Sequence, residues 1–256
     1  MKIIRFRDIK SNSDSYGIIE SDIIYPIIGT PFTDEININE ERLIPFKLNL
    51  LLVPCKPSKV VALAINYEGA TGQTKTMSEP LVFLKSTNSV VGFNVKVRLP
   101  FASNTWGEAE LGVVIKKTTS LQVSASNVKD YILGYVPVND VSCDNVEDRD
   151  HHLARSKSAD GFCPVGQFIE TDFDYRNKEI LAYHNDILLR KGNTNQIIWD
   201  PEKIIVWLSS WMTLYPGDII STGAPVRTRD RLYLKNGDTY TVKIEGFPVL
   251  VTSFYE

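Results

Sequence analysis

The sequence predicts a β-rich α+β fold, and three observations carry that prediction. Short apolar runs bounded by turn residues recur along the 256 residues. Only one segment combines full helix-start chemistry with a helical apolar period. The later strands are also longer and more uniformly apolar than the early ones, as buried sheet requires. In order, Lys2–Phe6, Ser15–Ile19 and Asp22–Tyr25 read as short strands, followed by a polar Asn/Glu-rich stretch near 34–42. Pro54-Cys-Lys-Pro57 makes a joint, dividing a small N-terminal β-rich domain (1–56) from a larger one (57–256). Beyond it come the strands Lys59–Ile65, Leu81–Leu84, Leu111–Ile115 and Tyr135–Val138. Ser126 is placed to cap a short helix over Val128–Leu133 that stops at Gly134. Asp200-Pro-Glu-Lys starts the principal helix, with an acid at the cap and proline in the first turn. Its stripe of Ile204, Ile205, Leu208, Trp211 and Met212 is core packing. A turn at Tyr215-Pro-Gly-Asp218 leads to the strand Ile219–Thr222. Asn236-Gly237 marks a hairpin-type turn before Thr239–Ile244 and a return strand Val249–Tyr255.

Composition excludes several function classes. With 43% hydrophobic and 23% charged residues the chain is ordinary globular protein. A net charge of −3 without a basic, aromatic-interleaved stripe gives no nucleic-acid partner. Cys55, Cys143 and Cys163 are too few and too scattered for a disulfide framework or zinc site, and read as buried thiols. The N-terminal run carries charges and no apolar core of a signal peptide, and no apolar stretch reaches membrane-spanning length. The expectation is a cytoplasmic enzyme with no membrane partner.

Three acids are the candidate chemistry. Glu108 and Glu110 lie two apart in Trp106-Gly-Glu-Ala-Glu-Leu, so on a strand both carboxylates share one face. Asp140 follows the apolar strand Tyr135–Val138. A Glu-x-Glu pair is ordinarily a solvated sheet face, but these acids adjoin strands too apolar for an exposed edge. Clustered buried carboxylates repel and raise one another's pKa unless a cation lies between them. An all-oxygen ligand set suits Mg²⁺ or Mn²⁺, with Ca²⁺ as a further option, rather than zinc or copper.

An ordered series of motifs adds to this. Asn66-Tyr67, Glu79-Pro-Leu-Val-Phe-Leu-Lys85, Glu108-Ala-Glu110-Leu-Gly-Val-Val and Asn139-Asp140-Val-Ser are followed by Arg155-Ser-Lys157-Ser and Phe162-Cys-Pro-Val-Gly166. Gly192-Asn-Thr194 and Met212 through Thr222-Gly-Ala-Pro225 complete it. Across roughly 57–256 the set resembles the fumarylacetoacetate hydrolase (fumarylacetoacetase) superfamily. The resemblance implies a β-rich sandwich-roll catalytic domain, a homodimer, and a Mg²⁺ or Mn²⁺ cofactor held by Glu108, Glu110 and Asp140. It implies a small 2-oxo acid as substrate, with Lys157 as the catalytic lysine beside it. Asn66, Tyr67, Thr222 and Gly223 fall in substrate-binding segments, the last two in a loop over the substrate's carboxylate end.

Departures from the family pattern bear on the reaction. Hydrolytic members carry a histidine and a glutamate that activate water where this chain has Ala70 and Gln73. Glu68 is the nearest candidate base, in a Gly/Thr/Ser-rich segment, 68–78, that reads as a lid. Arg190 replaces a common glutamine; it reads either as a bidentate reader of a distal carboxylate or, more ordinarily, as an exposed hairpin arginine. Cys143-Asp144-Asn145 and Ala224 stand where an arginine and a threonine are usual. His151 and His152 read as solvent-exposed, and His184 as part of a hairpin turn. A retained acid triad without the water-activating pair points first to an isomerase, tautomerase or decarboxylase that enolises a 2-oxo acid, such as 2-hydroxyhepta-2,4-dienedioate or an oxaloacetate-like compound. The alternatives are a C–C hydrolase of an acylpyruvate or fumarylacetoacetate-like diketone, and a non-catalytic metal-binding relative.

Overall fold

A computed structural model describes residues 1–70, 78–120, 123–145 and 148–256. Among them two sheets dominate. The larger has ten strands in the order Ile44–Pro45, Ile23–Pro26, Ser13–Glu20, Lys2–Asp8, Ile169–Glu170, Ile132–Asn139, Ala109–Ile115, Ile219–Ser221, Val60–Ala64 and Leu81–Lys85. Every pairing in it is antiparallel except that of Ile219–Ser221 with Val60–Ala64. The second sheet has five strands: Ile187–Asn193, Glu179–His184, Thr239–Ile244, Leu250–Tyr255 and Lys96–Arg98. The fold is mostly β, as the sequence predicts.

The strand Ala109–Ile115 shows why the sheets stack. Leu111, Val113 and Ile115 join one core cluster with Tyr240, Val242, Ile244 and Leu250 of the five-stranded sheet. Val114, of opposite parity, joins a second cluster on the other face with Val136, Val138, Ile169 and Ile219. Both faces of this strand are therefore covered, which explains its unbroken apolar run. Burying such a side chain contributes roughly 1.5–3 kcal/mol.

The first four strands extend the sheet of the rest of the chain. Lys2–Asp8 pairs with Ile169–Glu170, and the N-terminal ammonium bonds Glu170 Oε1 at 2.9 Å and Asp172 Oδ2 at 2.6 Å.

The principal helix spans Pro201–Ser209, with the Asp200 side chain accepting from the Lys203 N–H. Ile204, Ile205 and Leu208 are buried and Met212 packs on the core, but Trp211 is half-exposed and stands edge-on to Trp207. It lies past the last helical turn, where the periodic stripe no longer points inward. The second expected helix is also corrected. Val128–Tyr131 forms a 3₁₀ turn behind Asn127, without a side-chain cap from Ser126, and Ile132 and Leu133 already belong to a strand. Two β-branched or γ-branched apolar residues fit that central strand better than a helix end. Asn236-Gly237 does turn the chain, yet the hairpin between Thr239–Ile244 and Leu250–Tyr255 closes further on, at Glu245-Gly246.

Candidate metal and substrate site

Glu110 projects from the strand Ala109–Ile115, whereas Glu108 lies just before it. Gly107 permits this approach: a Cβ there would meet the Tyr240 ring at 2.5 Å and Asn139 Oδ1 at 2.7 Å. The Glu108 N–H donates to Asn139 Oδ1 at 3.1 Å, and the Asp140 N–H to the Glu108 carbonyl at 2.9 Å. These two bonds, one to a side-chain amide and one between backbones, bring the ends of two neighbouring strands together. One carboxylate oxygen from each of Glu108, Glu110 and Asp140 lies within 4.8 Å of the others.

The three acids live in different environments. Asp140 is fully buried between two ammonium groups: Lys85 Nζ bonds Oδ1, and Lys157 Nζ bonds Oδ2 at 2.5 Å. Burial alone would push its carboxyl up, but Lys157 and Lys85 outweigh it and hold the group below the ordinary aspartate value. Glu108 accepts from Arg190 Nη2, and Lys157 Nζ is 3.9 Å away. Among the described residues Glu110 has no ion-pair partner; Ser221 Oγ and the Gly223 N–H donate to its Oε2 at 2.6 and 2.9 Å. Burial, then the charges of Asp140 and Glu108, push it up to about 8. Gly223 has φ +85°, a conformation that aims its N–H at this carboxyl and that a Cβ would strain.

The donor set fits a hard divalent cation. It offers three converging oxygens, and burial together with the charges of Asp140 and Glu108 keeps Glu110 protonated near neutral pH against the pull of Lys157, a state that a bound cation would reverse. Lys85, Lys157 and Arg190 carry as much charge as the three acids when all are ionised, so a bound divalent ion would leave the centre at +2.

Lys157 comes from the short helix Ala154–Ser158, entered through Leu153 in a left-handed conformation. Its Nζ also donates to Ser142 Oγ at 2.6 Å and lies 4.3 Å from the centre of the Phe83 ring. Asp140 and Glu108 outweigh desolvation and raise its pKa, so it is a fixed cation rather than a base. With Glu108, Glu110 and Arg190 it lines a cavity of about 710 Å³, closed on other sides by Phe83, Ala70 and residues 224–231.

The remaining candidates occupy varied places. The Asn66 amide is spent on backbone, donating to the Thr222 and Trp199 carbonyls at 2.9 and 3.0 Å and accepting from the Trp199 N–H at 2.8 Å. Tyr67 is fully buried, its hydroxyl without a hydrogen-bond partner among the described residues; burial, with Glu110 nearby, pushes its phenol above the ordinary range. Thr222 donates through Oγ1 to the Leu111 carbonyl at 2.9 Å. Glu68 is exposed and outside the described cavity lining. Gln73 and the 71–77 part of the lid segment lie outside the described residues. Arg190 corrects the reading of an exposed hairpin arginine. It is buried, with Nη1 donating to the Pro225 carbonyl at 2.5 Å and Nη2 engaged by Glu108, because the hairpin folds back over the acid cluster. His151 and His152 are exposed; His184 is buried against Asp238 at 2.9 Å, and none of them lines the cavity.

Lys85, Ser142 and Ser221 received no role from the sequence. Lys85 was visible only as a lysine ending the apolar strand Leu81–Lys85, and its burial against Asp140 comes from the packing of the sheet.

The family model described as the fumarylacetoacetate (FAA) hydrolase C-terminal domain matches residues 59–254, around this whole site. The chain belongs to the fumarylacetoacetate hydrolase family. A second model, described as Rv2993c-like, N-terminal, matches residues 1–51. Among relatives, the chain is 36% identical to a 2,4-didehydro-3-deoxy-L-rhamnonate hydrolase of a Sphingomonas species, over 75% of this chain and 72% of that one. It is 32% identical to the mitochondrial oxaloacetate tautomerase Fahd2a of Rattus norvegicus, over 82% and 70%. The crystal structure of 5-carboxymethyl-2-hydroxymuconate delta-isomerase from Mycobacterium smegmatis superposes with a TM-score of 0.87 at 30% identity, covering 100% of this chain and 99% of that one. These fumarylacetoacetate hydrolase relatives thus include a hydrolase, a tautomerase and an isomerase. Among the described residues no helix is long and apolar enough to cross a membrane.

Proposed function

We propose that the protein is a divalent-metal-dependent enzyme that enolises a small 2-oxo acid, acting as an isomerase or tautomerase, or as a decarboxylase of an oxaloacetate-like compound. The observation that carries this reading is the convergence of Glu108, Glu110 and Asp140 beside the Lys157 cation, in a cavity whose described lining holds no histidine. A Mg²⁺ or Mn²⁺ ion held by the three carboxylates would supply an electron sink for the keto oxygen of a 2-oxo acid. Lys157 keeps one donor beyond those given to Asp140 and Ser142, and it offers that donor and its charge to an anionic oxygen of the substrate. Asp140 and Ser142 fix the ammonium, and the Phe83 ring covers one side of it, so little reorganisation is needed as negative charge develops. Ala70 stands at the cavity wall where hydrolytic members place a water-activating histidine, and a methyl group accepts no proton.

Hydrolysis of a C–C bond is the second reading, favoured by the similarity to the 2,4-didehydro-3-deoxy-L-rhamnonate hydrolase. The two separate in one assay series with Mg²⁺ or Mn²⁺ and with chelator. Metal-dependent loss of the enol absorbance of oxaloacetate, or release of CO₂ from it, is the expected result. Cleavage of acylpyruvates without either would establish the hydrolase. Metal binding with no turnover of any 2-oxo acid would mark a non-catalytic relative.

A further inference from the structure

The segment after Gly223 carries three arginines at a spacing of two, Arg227, Arg229 and Arg231, and all three line the cavity that holds Glu108, Glu110 and Lys157. Resting on the 2-oxo acid reading, we propose that these arginines form a subsite for a second anionic group at the far end of the substrate.

The backbone of this segment is fixed against the rest of the site. Arg227 forms a β-bridge with Arg190, and the Thr228 N–H donates to the Leu189 carbonyl at 2.8 Å. Arg231 stacks its guanidinium on Trp106, with Cζ 3.7 Å from the ring centre, and its Nε is buried without a hydrogen-bond partner. Stacking uses the face of the guanidinium and leaves its in-plane donors for an oxygen ligand. Trp106 is two residues before Glu108, so the aromatic support of the arginine and the metal-ligand segment are one piece of chain.

The arginines of this subsite are also unlike most others in the molecule. Arg5, Arg7, Arg42, Arg176 and Arg190 each hold a carboxylate. Among the described residues Arg227, Arg229 and Arg231 hold none, although Asp230 lies between two of them. Partial burial, with crowding by Arg227 and Arg190, loosens the hold of Arg231 on its proton even though the charge of Glu108 works the other way. The ionised acids of the centre already hold cations of their own, Lys85 and Lys157 on Asp140 and Arg190 on Glu108. Three arginines in the lining of one cavity offer guanidinium forks that match the planar or tetrahedral oxygens of a carboxylate or a phosphoryl group. The substrate class is thus a 2-oxo acid with a second anionic terminus, anchored by its keto-acid end at the acid triad.

The test measures ligand affinity calorimetrically on the Mn²⁺-loaded protein. 2-Oxoadipate is compared with 2-oxohexanoate, a monoacid of equal length, and phosphonopyruvate with pyruvate; oxalate probes the metal end alone. The dianion is expected to bind about tenfold or more tightly than its partner, a typical factor for one charge-assisted hydrogen-bonded group. Whichever pair shows the larger factor identifies the source as carboxylate or phosphoryl. Arg227→Gln/Arg229→Gln changes two exposed side chains, and Arg231→Gln is paired with Arg231→Lys to separate charge from stacking. The preference should shrink at least several-fold in the glutamine variants while oxalate binds as before. Equal affinities within both pairs, or a preference intact when all three arginines are glutamine, would overturn the proposal. Failure of oxalate alone, with the preference retained, would count against the metal reading and not against the arginine subsite.

Discussion

Binding of a divalent cation should release close to one proton from the protein at neutral pH, and Glu110 is its source. The carboxyl is buried, shares its site with Asp140 and Glu108, and is pushed up to about 8. A group titrating there is about nine-tenths protonated at pH 7 and about one-tenth protonated at pH 9. A ligand carboxylate must be ionised, so loading the site expels that proton. About 0.9 proton should therefore leave per Mn²⁺ at pH 7 and about 0.1 at pH 9. The apparent affinity should rise roughly tenfold per pH unit below pH 8 and flatten above it. Isothermal titration with Mn²⁺ in buffers of different ionisation enthalpy reads the proton count directly. Glu110→Gln should abolish both the release and the tight binding, because the amide keeps the hydrogen bonds from Ser221 and Gly223 but loses the charge. Release that is absent at pH 7 in the native chain, or unchanged in Glu110→Gln, would refute the reasoning.

Other outcomes follow from the same geometry. Glu110 has a folded pKa raised above its unfolded value, so the folded state binds the extra proton; stability of the metal-free protein should fall as pH rises from about 4.5 towards about 8, and saturating Mg²⁺ or Mn²⁺ should reverse the loss, as melting curves at several pH values will show. Asp140→Ala leaves Lys85, fully buried, and Lys157 without their carboxylate and should destabilise the fold by about 3–5 kcal/mol in urea titration. Asp140 is thus a structural acid as well as a proposed ligand. Arg190→Gln removes the cation that competes for Glu108 and should tighten Mn²⁺ binding by about tenfold, measured by titration calorimetry; an unchanged or weaker affinity would contradict that competition. Lys157→Met keeps the aliphatic stem against Phe83 but removes the charge, and should lower turnover of a 2-oxo acid by about 10²-fold or more with metal binding retained.

Much of the site was legible because its logic is local. The period-two spacing of Glu108 and Glu110 places both carboxylates together, and the apolar runs beside them imply that they are buried. Asp140 was legible as an acid at the end of a second apolar strand, and its motif gave the pairing. Long-range ties were not legible. Nothing local says that Lys85 reaches Asp140 across 55 residues, or that Arg190 folds over Glu108 across 82. An arginine in a hairpin reads as exposed until the second sheet is laid on the first. Trp211 misled for the opposite reason: helical period extends one residue set too far when the helix stops at Ser209. Ile132 and Leu133 misled because an apolar pair after a turn fits a helix end or a strand equally well, and the neighbouring strands Ala109–Ile115 and Ile169–Glu170 decide it.

Crystals of the protein soaked in Mn²⁺, with data collected for anomalous scattering, address the central claim most directly. One strong peak is predicted, about 2.2 Å from a carboxylate oxygen of each of Glu108, Glu110 and Asp140. A peak elsewhere, or full Mn²⁺ exposure with no peak among these side chains, which keep only the partners they have without metal, would contradict it.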